Sequence, residues 1–336
     1  MNKIAFVLGD VLIYWNSVFM AAAILVGVLF FWGGYVRRSD SVAAAAILCP
    51  LAIVSSFLFA RMIHWYFRAD SYEGFLSAMT DFSGSGYALC GAFLGCLISS
   101  IILHLCRIIK NLPLTLDCLS LGGSAAIAVG RLSCFFTAEN RGDILADTVQ
   151  LPVAYPVVNA TSGMVENRFA TFLFQSGIAA IIFAVLLVLF LRRSEKRTHR
   201  DGDITLLFLL TYCASQIVLD STRYDALRLR SNGFISVVQV LCAITLVLTI
   251  VFFSVRLCKN RGYRGIYFLL WLTSALCMGI AAYMEYHVQR HGDQALFAYA
   301  FMSGSLGVVV LIGIILWKKS NTTYVSGKRY KGKFSR

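Results

Sequence analysis

The sequence predicts an all-α integral membrane protein. It reads as a polytopic bundle of about nine transmembrane helices, N-terminus outside, C-terminus cytoplasmic, with a small extracytoplasmic loop segment. Three observations predict this. The 336 residues are 58% hydrophobic and only 14% charged, too apolar for a water-soluble fold of this length. The apolar residues gather into runs of about 20, the length a helix needs to cross the hydrocarbon core. The basic residues alternate from loop to loop, and such a bias sets orientation.

The spans fall at about 15–35, 42–63, 84–106, 114–136, 169–191, 204–219, 233–254, 266–286 and 295–317, with 204–219 the shortest. Ahead of the first, residues 1–14 hold one Lys and one Asp and no small-residue cleavage site, so no removable signal peptide is expected. With Met1 outside, the loops at Arg37–Arg38, Arg107–Lys110, Arg192–Arg200 and Arg256–Arg264 and the tail from Lys318 lie inside. They carry 20 of the 30 Lys and Arg residues. The net charge of +13 therefore has its source in topology and in an anionic inner leaflet, and no nucleic-acid role is needed to explain it. The ten cysteines form no Cys-x-x-Cys pair and nearly all lie in spans, where a thiol behaves as a small hydrophobe. Neither a structural disulfide nor a metal site is expected, and no cofactor.

The outer side has a different chemistry. Nine of its ten basic residues are Arg, whose planar fork of donors matches phosphate oxygens. Arg61, Arg131, Arg168 and Arg223 sit at or within the outer ends of spans. There a charge marks a polar cavity or a partner, unless it snorkels to the headgroups. Snorkelling would suffice for Arg168 and could serve Arg61. It explains Arg131 less well, because Arg131 lies deep in an apolar run and eight residues before Glu139. The longest outer loop, 137–167, contains Val149–Val158 with two prolines, which reads as a short edge strand or extended cover. A second polar cluster, Asp220-Ser-Thr-Arg223-Tyr-Asp225, follows the sixth span on the same side. The glycines from Gly84 to Gly95 open the third span from that side. They suit either tight helix packing or backbone donors to a phosphate. Together these features point to one outward-facing site for an anionic headgroup.

The residues resemble, in order over about 10–250, the prolipoprotein diacylglyceryl transferase family of bacterial inner membranes. Ile13-Tyr14-Trp15-Asn16 stands at the start of the first span where the family has a His-Trp-Tyr-Gly-like segment, and Ala60-Arg61 matches its Ala-Arg. Gly84 to Gly95 resembles Gly-Gly-Met-Ser-x-His-Gly-Gly-Leu-x-Gly. Gly130 to Gly142 resembles the most specific motif, Gly-Arg-x-x-Asn-Phe-x-x-x-Glu-x-x-Gly. Val149 to Pro156 resembles the extended segment that follows. Arg168 to Gln175, Asp220 to Arg223 and Gly233 to Gln239 resemble Arg-x-Pro-x-Gln-Leu-Tyr-Glu, Glu-Phe-x-Arg and the Gly-x-x-x-x-x-Gln start of the last family helix. Several positions depart. The family His falls on Cys90, the motif Asn on Cys134, and the Arg after the last Gly on Asp143. Gln, Tyr and Glu become Phe172, Phe174 and Gln175.

The resemblance implies transfer of a diacylglyceryl group from phosphatidylglycerol, or another anionic phospholipid, to the lipobox cysteine thiol of a prolipoprotein. Its partners would be that lipid, the prolipoprotein signal peptide and the bilayer, in the bacterial cytoplasmic membrane. On this reading Arg131, Glu139 and Arg223 are catalytic. Arg131 and Arg223 hold the phosphate, and Glu139 orients Arg131 or takes the thiol proton. Arg61, Cys90, Gly91, Cys134, Gly142 and Arg168 bind substrate. The alternative for Arg131 and Glu139 is an interhelical ion pair. His64, three residues after Arg61, is a substitute base unless it is merely solvated; Cys90 is an apolar replacement or a thiol carrying an intermediate. Residues 1–255 form the transferase-like domain, 256–317 add two helices of no assigned chemistry, and 318–336 form a basic tail. Two other readings stand beside the enzyme: a catalytically silent relative that binds anionic phospholipid or a lipoprotein precursor, and a transporter. The transporter lacks support from any broken-helix pair or inverted repeat.

Overall fold

The computed structural model describes residues 4–8, 11–39, 41–80, 86–145, 152–158, 163–196, 200–229, 234–291 and 295–331. A hairpin of β1 (Ile4–Leu8) and β2 (Val11–Tyr14) leads into α1 (Trp15–Val36). Next come α2 (Val42–Phe67), a short α3 (Phe75–Thr80), α4 (Leu89–Leu105) and α5 (Leu112–Gly130). The last of these tightens into a 3-10 helix at Arg131–Phe136. An antiparallel pair, β3 (Ala154–Val158) and β4 (Val165–Phe169), precedes α6 (Thr171–Lys196). Four long helices close the chain: α7 (Asp203–Ser221), α8 (Val237–Arg261), α9 (Gly265–His291) and α10 (Ala295–Lys331).

Eight of these helices are long and apolar enough to cross a bilayer, and α4, with 17 residues, is a shorter apolar ninth. The protein is a multi-pass membrane protein. Side chains such as Leu25, Leu29, Val54, Ile181, Leu248 and Leu276 stand exposed along the helix flanks, an arrangement that needs lipid around it.

Several expected boundaries move, among them the third span, expected from 84, whose helix starts at Leu89. The span expected from 169 starts at Thr171, because 165–169 pair as β4. The span expected from 233 starts at Val237, where Ser236 and Gln239 close a capping box. The segment 204–219, expected to be the shortest span, becomes the 19-residue α7, and α4 is the shortest. Helix α7 is also the most enclosed, packed by α5, α6, α8 and α10. Its polar residues face protein rather than lipid, and this is what shortened its apolar signature.

The basic loops meet at one end of the bundle. Arg38 donates to the Phe190 carbonyl at the end of α6, and Asn111 donates to Asp201 at 2.9 Å. Asp117 accepts from Gly202 and Thr205 N–H groups at 2.9 Å each. Asp203, fully buried, accepts from Arg256 at 2.5 Å, Asn321 at 2.8 Å and Trp317 at 3.1 Å. The α-helix of α10 continues to Lys331, so much of the expected basic tail is helical.

Candidate active site

The opposite end carries the two strand pairs and most of the residues singled out in the sequence. Helix α4 reaches it through glycines. A Cβ at Gly91 would lie 2.3 Å from the Phe59 carbonyl oxygen, and one at Gly95 would lie 2.5 Å from that of Ser55. The two glycines let α4 lie against α2, the packing alternative of the two considered. Gly91, expected to bind substrate, is accounted for by that contact; Gly84 lies outside the described residues.

The same contact places the neighbours of both glycines. Arg61, beside Ala60 on α2, is 2% exposed and does not snorkel. It donates to the carbonyls of Ala78 at 2.6 Å and Gly86 at 3.0 Å, with the Tyr72 and Tyr87 rings about it. It thus clamps the segment between α2 and α4. His64 pairs with the Tyr72 hydroxyl at 3.0 Å. Cys90, half-buried next to Gly91, lies within electrostatic reach of Asp220 on α7.

Arg223 stands just past the end of α7. It pairs with Asp220 at 2.9 Å and Asp225 at 3.0 Å. Asp220 also accepts from the Ser236 hydroxyl, and Asp225 from the Asn140 N–H at 3.0 Å. Burial alone would lower the pKa of Arg223, but the two carboxylates outweigh it and hold the value above the ordinary one. Burial would likewise raise Asp225, yet Arg223 and the Asn140 N–H keep it below the usual carboxylate value.

The loop after the 3-10 helix is built around Gly142. Its main chain bridges Arg223, and its N–H donates to the Phe169 carbonyl at 2.8 Å. A Cβ there would meet the Thr222 carbonyl oxygen at 2.7 Å and Phe169 Cβ at 2.8 Å, so only glycine fits. Gly142 thereby brings together Arg223 and Arg168. Arg168, on β4, donates to the Gly142 carbonyl at 3.5 Å, pairs with Glu166 at 2.8 Å and stacks 4.4 Å from the Tyr224 ring.

Arg131 opens the 3-10 helix, half-buried, with the Tyr212 hydroxyl of α7 as its polar neighbour. Among the described residues neither an ion pair nor a hydrogen bond joins it to Glu139. The expected orienting contact and the expected interhelical ion pair are both missing from this state. Glu139 is half-buried near Tyr224 instead. Cys134 is buried and receives the Asn140 side-chain amide at 3.3 Å.

Sequence reasoning missed Arg141, which is fully buried. Its Nη2 donates to the carbonyls of Cys134 at 2.5 Å and Thr137 at 3.0 Å. Its guanidinium lies 4.4 Å from the Tyr155 ring and 4.2 Å from that of Phe172. Burial pulls its pKa below the ordinary arginine value. The signal was present in Phe172: an aromatic where the family motif has Gln supplies the face on which this cation rests.

A family model for prolipoprotein diacylglyceryl transferase matches residues 3–255. The chain belongs to this family. Its transferase relatives include bacterial proteins named phosphatidylglycerol–prolipoprotein diacylglyceryl transferase. That of Streptococcus equi subsp. zooepidemicus is 28% identical over 255 residues, 73% of this chain and 94% of the relative. That of Staphylococcus carnosus is 25% identical over 276 residues, 80% and 96% respectively. That of Lactococcus lactis subsp. lactis is 27% identical over 253 residues, 73% and 93%. Within the matched residues lie Arg61, Cys90, Arg131, Glu139, Gly142, Arg168 and Arg223; α9 and α10 follow them.

Proposed function

We propose that this protein transfers a diacylglyceryl group from phosphatidylglycerol, or a related anionic phospholipid, to the lipobox cysteine of a prolipoprotein. It would act at the outer face of a bacterial cytoplasmic membrane. The end of the bundle gathering the basic loops is taken as the cytoplasmic side, which turns the strand pairs and the arginine-lined end outward.

The reaction forms a bond between the peptide sulfur and a glyceryl carbon and breaks that carbon's bond to phosphate oxygen. Glycerol phosphate leaves with the electron pair, and the thiol proton passes to a base. The step needs a cation where charge builds on the leaving group. One observation carries the assignment: Arg131 lies half-buried at the end of an apolar span, with no carboxylate paired to it among the described residues. Arg223 already faces two carboxylates, which offset its charge. Arg131 is therefore the phosphate-binding group, while Arg223 with Gly142 fixes the wall of the site. Glu139 is free of Arg131 in this state and serves as the proton acceptor. Arg61 ties the carbonyls of Ala78 and Gly86 together between α2 and α4, and Arg168 joins β4 to Gly142.

Cys90, standing where the family motif has His, favours a second reading: a silent relative that still binds anionic phospholipid. Purified protein in phosphatidylglycerol micelles with a lipobox peptide separates the two. Glycerol phosphate release that requires the peptide thiol and vanishes in Arg131→Ala supports the enzyme. Retained lipid binding without release, beside an active family member, supports the silent relative.

A further inference from the structure

The family match ends at residue 255, yet α9 and α10 pack together, and α10 packs on α7 and α8. Their polar groups converge on one point. Gln289 of α9 and Tyr299 of α10 both donate to the Ser221 main-chain carbonyl, at 3.2 and 3.5 Å. Ser221 is the last residue of α7, and its carbonyl is among those a helix end leaves without an internal partner. Glu285, one turn before Gln289 on the same face of α9, is 5% exposed among the side chains of Ser221, Gln239 and Gln289. Both its oxygens and the Ser221 hydroxyl close no hydrogen bond among the described residues. The Tyr299 hydroxyl also lies within electrostatic reach of Asp143, next to Gly142. A carboxyl inside a membrane helix marks a partner or a function, and this one faces the last turn of α7.

We propose that α9 and α10 brace the candidate active site, with Gln289 and Tyr299 acting as positioning residues that set where α7 ends. Asp220 lies in that last turn, and Arg223 follows two residues after the braced carbonyl, donating its N–H to Asp220 O at 3.2 Å. A frayed turn would move both Asp220 and Arg223 relative to Gly142. This rests on the transferase reading. A displacement of about 1 Å near a reacting centre lowers rate by up to about a hundredfold.

The test compares full-length wild type with Tyr299→Phe and with Gln289→Leu/Tyr299→Phe. It follows glycerol phosphate release, amide hydrogen exchange over residues 220–229 and thermal stability. The double variant is expected to lose about tenfold in kcat, with KM for phosphatidylglycerol within about twofold. Exchange over 220–229 should rise about tenfold, with the rest of α7 unchanged. Tyr299→Phe, which removes one oxygen, should move both readouts the same way by about threefold and stands in if the double variant does not fold. Unchanged exchange at 220–229, or faster exchange with unchanged kcat, overturns the proposal. So does a lowered thermal midpoint alone, the mark of general packing. If wild type releases no glycerol phosphate, the transferase reading fails, and the exchange comparison still decides whether the brace exists.

Discussion

Replacing Gly142 with Ala adds one methyl at a tight junction of the arginine-lined end. The new Cβ would sit 2.7 Å from the Thr222 carbonyl oxygen and 2.8 Å from Phe169 Cβ. Neither obstacle is the far end of a flexible side chain, so the backbone must separate by about 0.7–1 Å to restore ordinary contact. Overpacking of this kind costs about 1–3 kcal/mol. The separation acts on the bridge that carries Arg223 and on the Gly142 carbonyl that meets Arg168. A shift of that size predicts a fall in kcat of about 10–100-fold with a smaller change in KM. Gly123→Ala is the matched control: a Cβ there meets nothing within 4 Å, in the interior of α5. It should keep wild-type turnover and gain about 0.5–1 kcal/mol of stability from helix propensity. The assay is glycerol phosphate release from phosphatidylglycerol with a lipobox peptide, alongside thermal unfolding in the same detergent. Gly142→Ala turning over within about twofold of wild type would falsify the view that this junction positions the site.

Asp203→Asn should destabilise the protein by about 3–5 kcal/mol, because it leaves buried Arg256 without its anion; thermal inactivation in detergent measures it, and an unchanged half-life refutes it. Cys90→Ser should keep turnover within about threefold, since a thiol that only lines the wall is not consumed; loss of all turnover would instead assign it a covalent role. The Arg223–Asp225 pair carries a pH signature. The folded-state pKa of Asp225 lies below its ordinary value, so its stabilisation is fully present above about pH 4 and is lost as pH falls through the depressed value. The gap in thermal midpoint between wild type and Asp225→Asn should therefore hold from neutral pH to about pH 4 and shrink below it. A gap constant down to about pH 2 contradicts that sign.

The helical bundle was legible because lipid imposes strong rules: long apolar runs, a basic side, and ionisable residues only where something requires them. What escaped were partners. Arg131 and Glu139 are eight residues apart in one motif and invite pairing, yet Arg131 meets Tyr212 from a helix some 80 residues later. Arg223 was visible as a cation, while its near-neutralisation by Asp220 and Asp225 depends on a turn that brings both acids round one guanidinium. Arg141 was hidden because its cage joins Tyr155 and Phe172 from separate elements. The low apolarity of 204–219 looked like a weak span and instead marks the helix farthest from lipid. In each instance the side chain was plain and the surrounding shell, built from distant segments, was not.

The docking of α10 has a consequence for how the chain is made. Asp203 receives Trp317 and Asn321, and Ser221 O receives Gln289 and Tyr299, all from segments synthesised long after α7 has left the ribosome. Until then the acid at the start of α7 and the carbonyl at its end lack these late partners. The final insertion event therefore completes helix seven as well as helix ten. A chain arrested before residue 295 would keep Arg256 on Asp203 and Gln289 on the Ser221 carbonyl but lack Trp317, Asn321 and Tyr299, so both ends of α7 stay only partly satisfied until α10 docks.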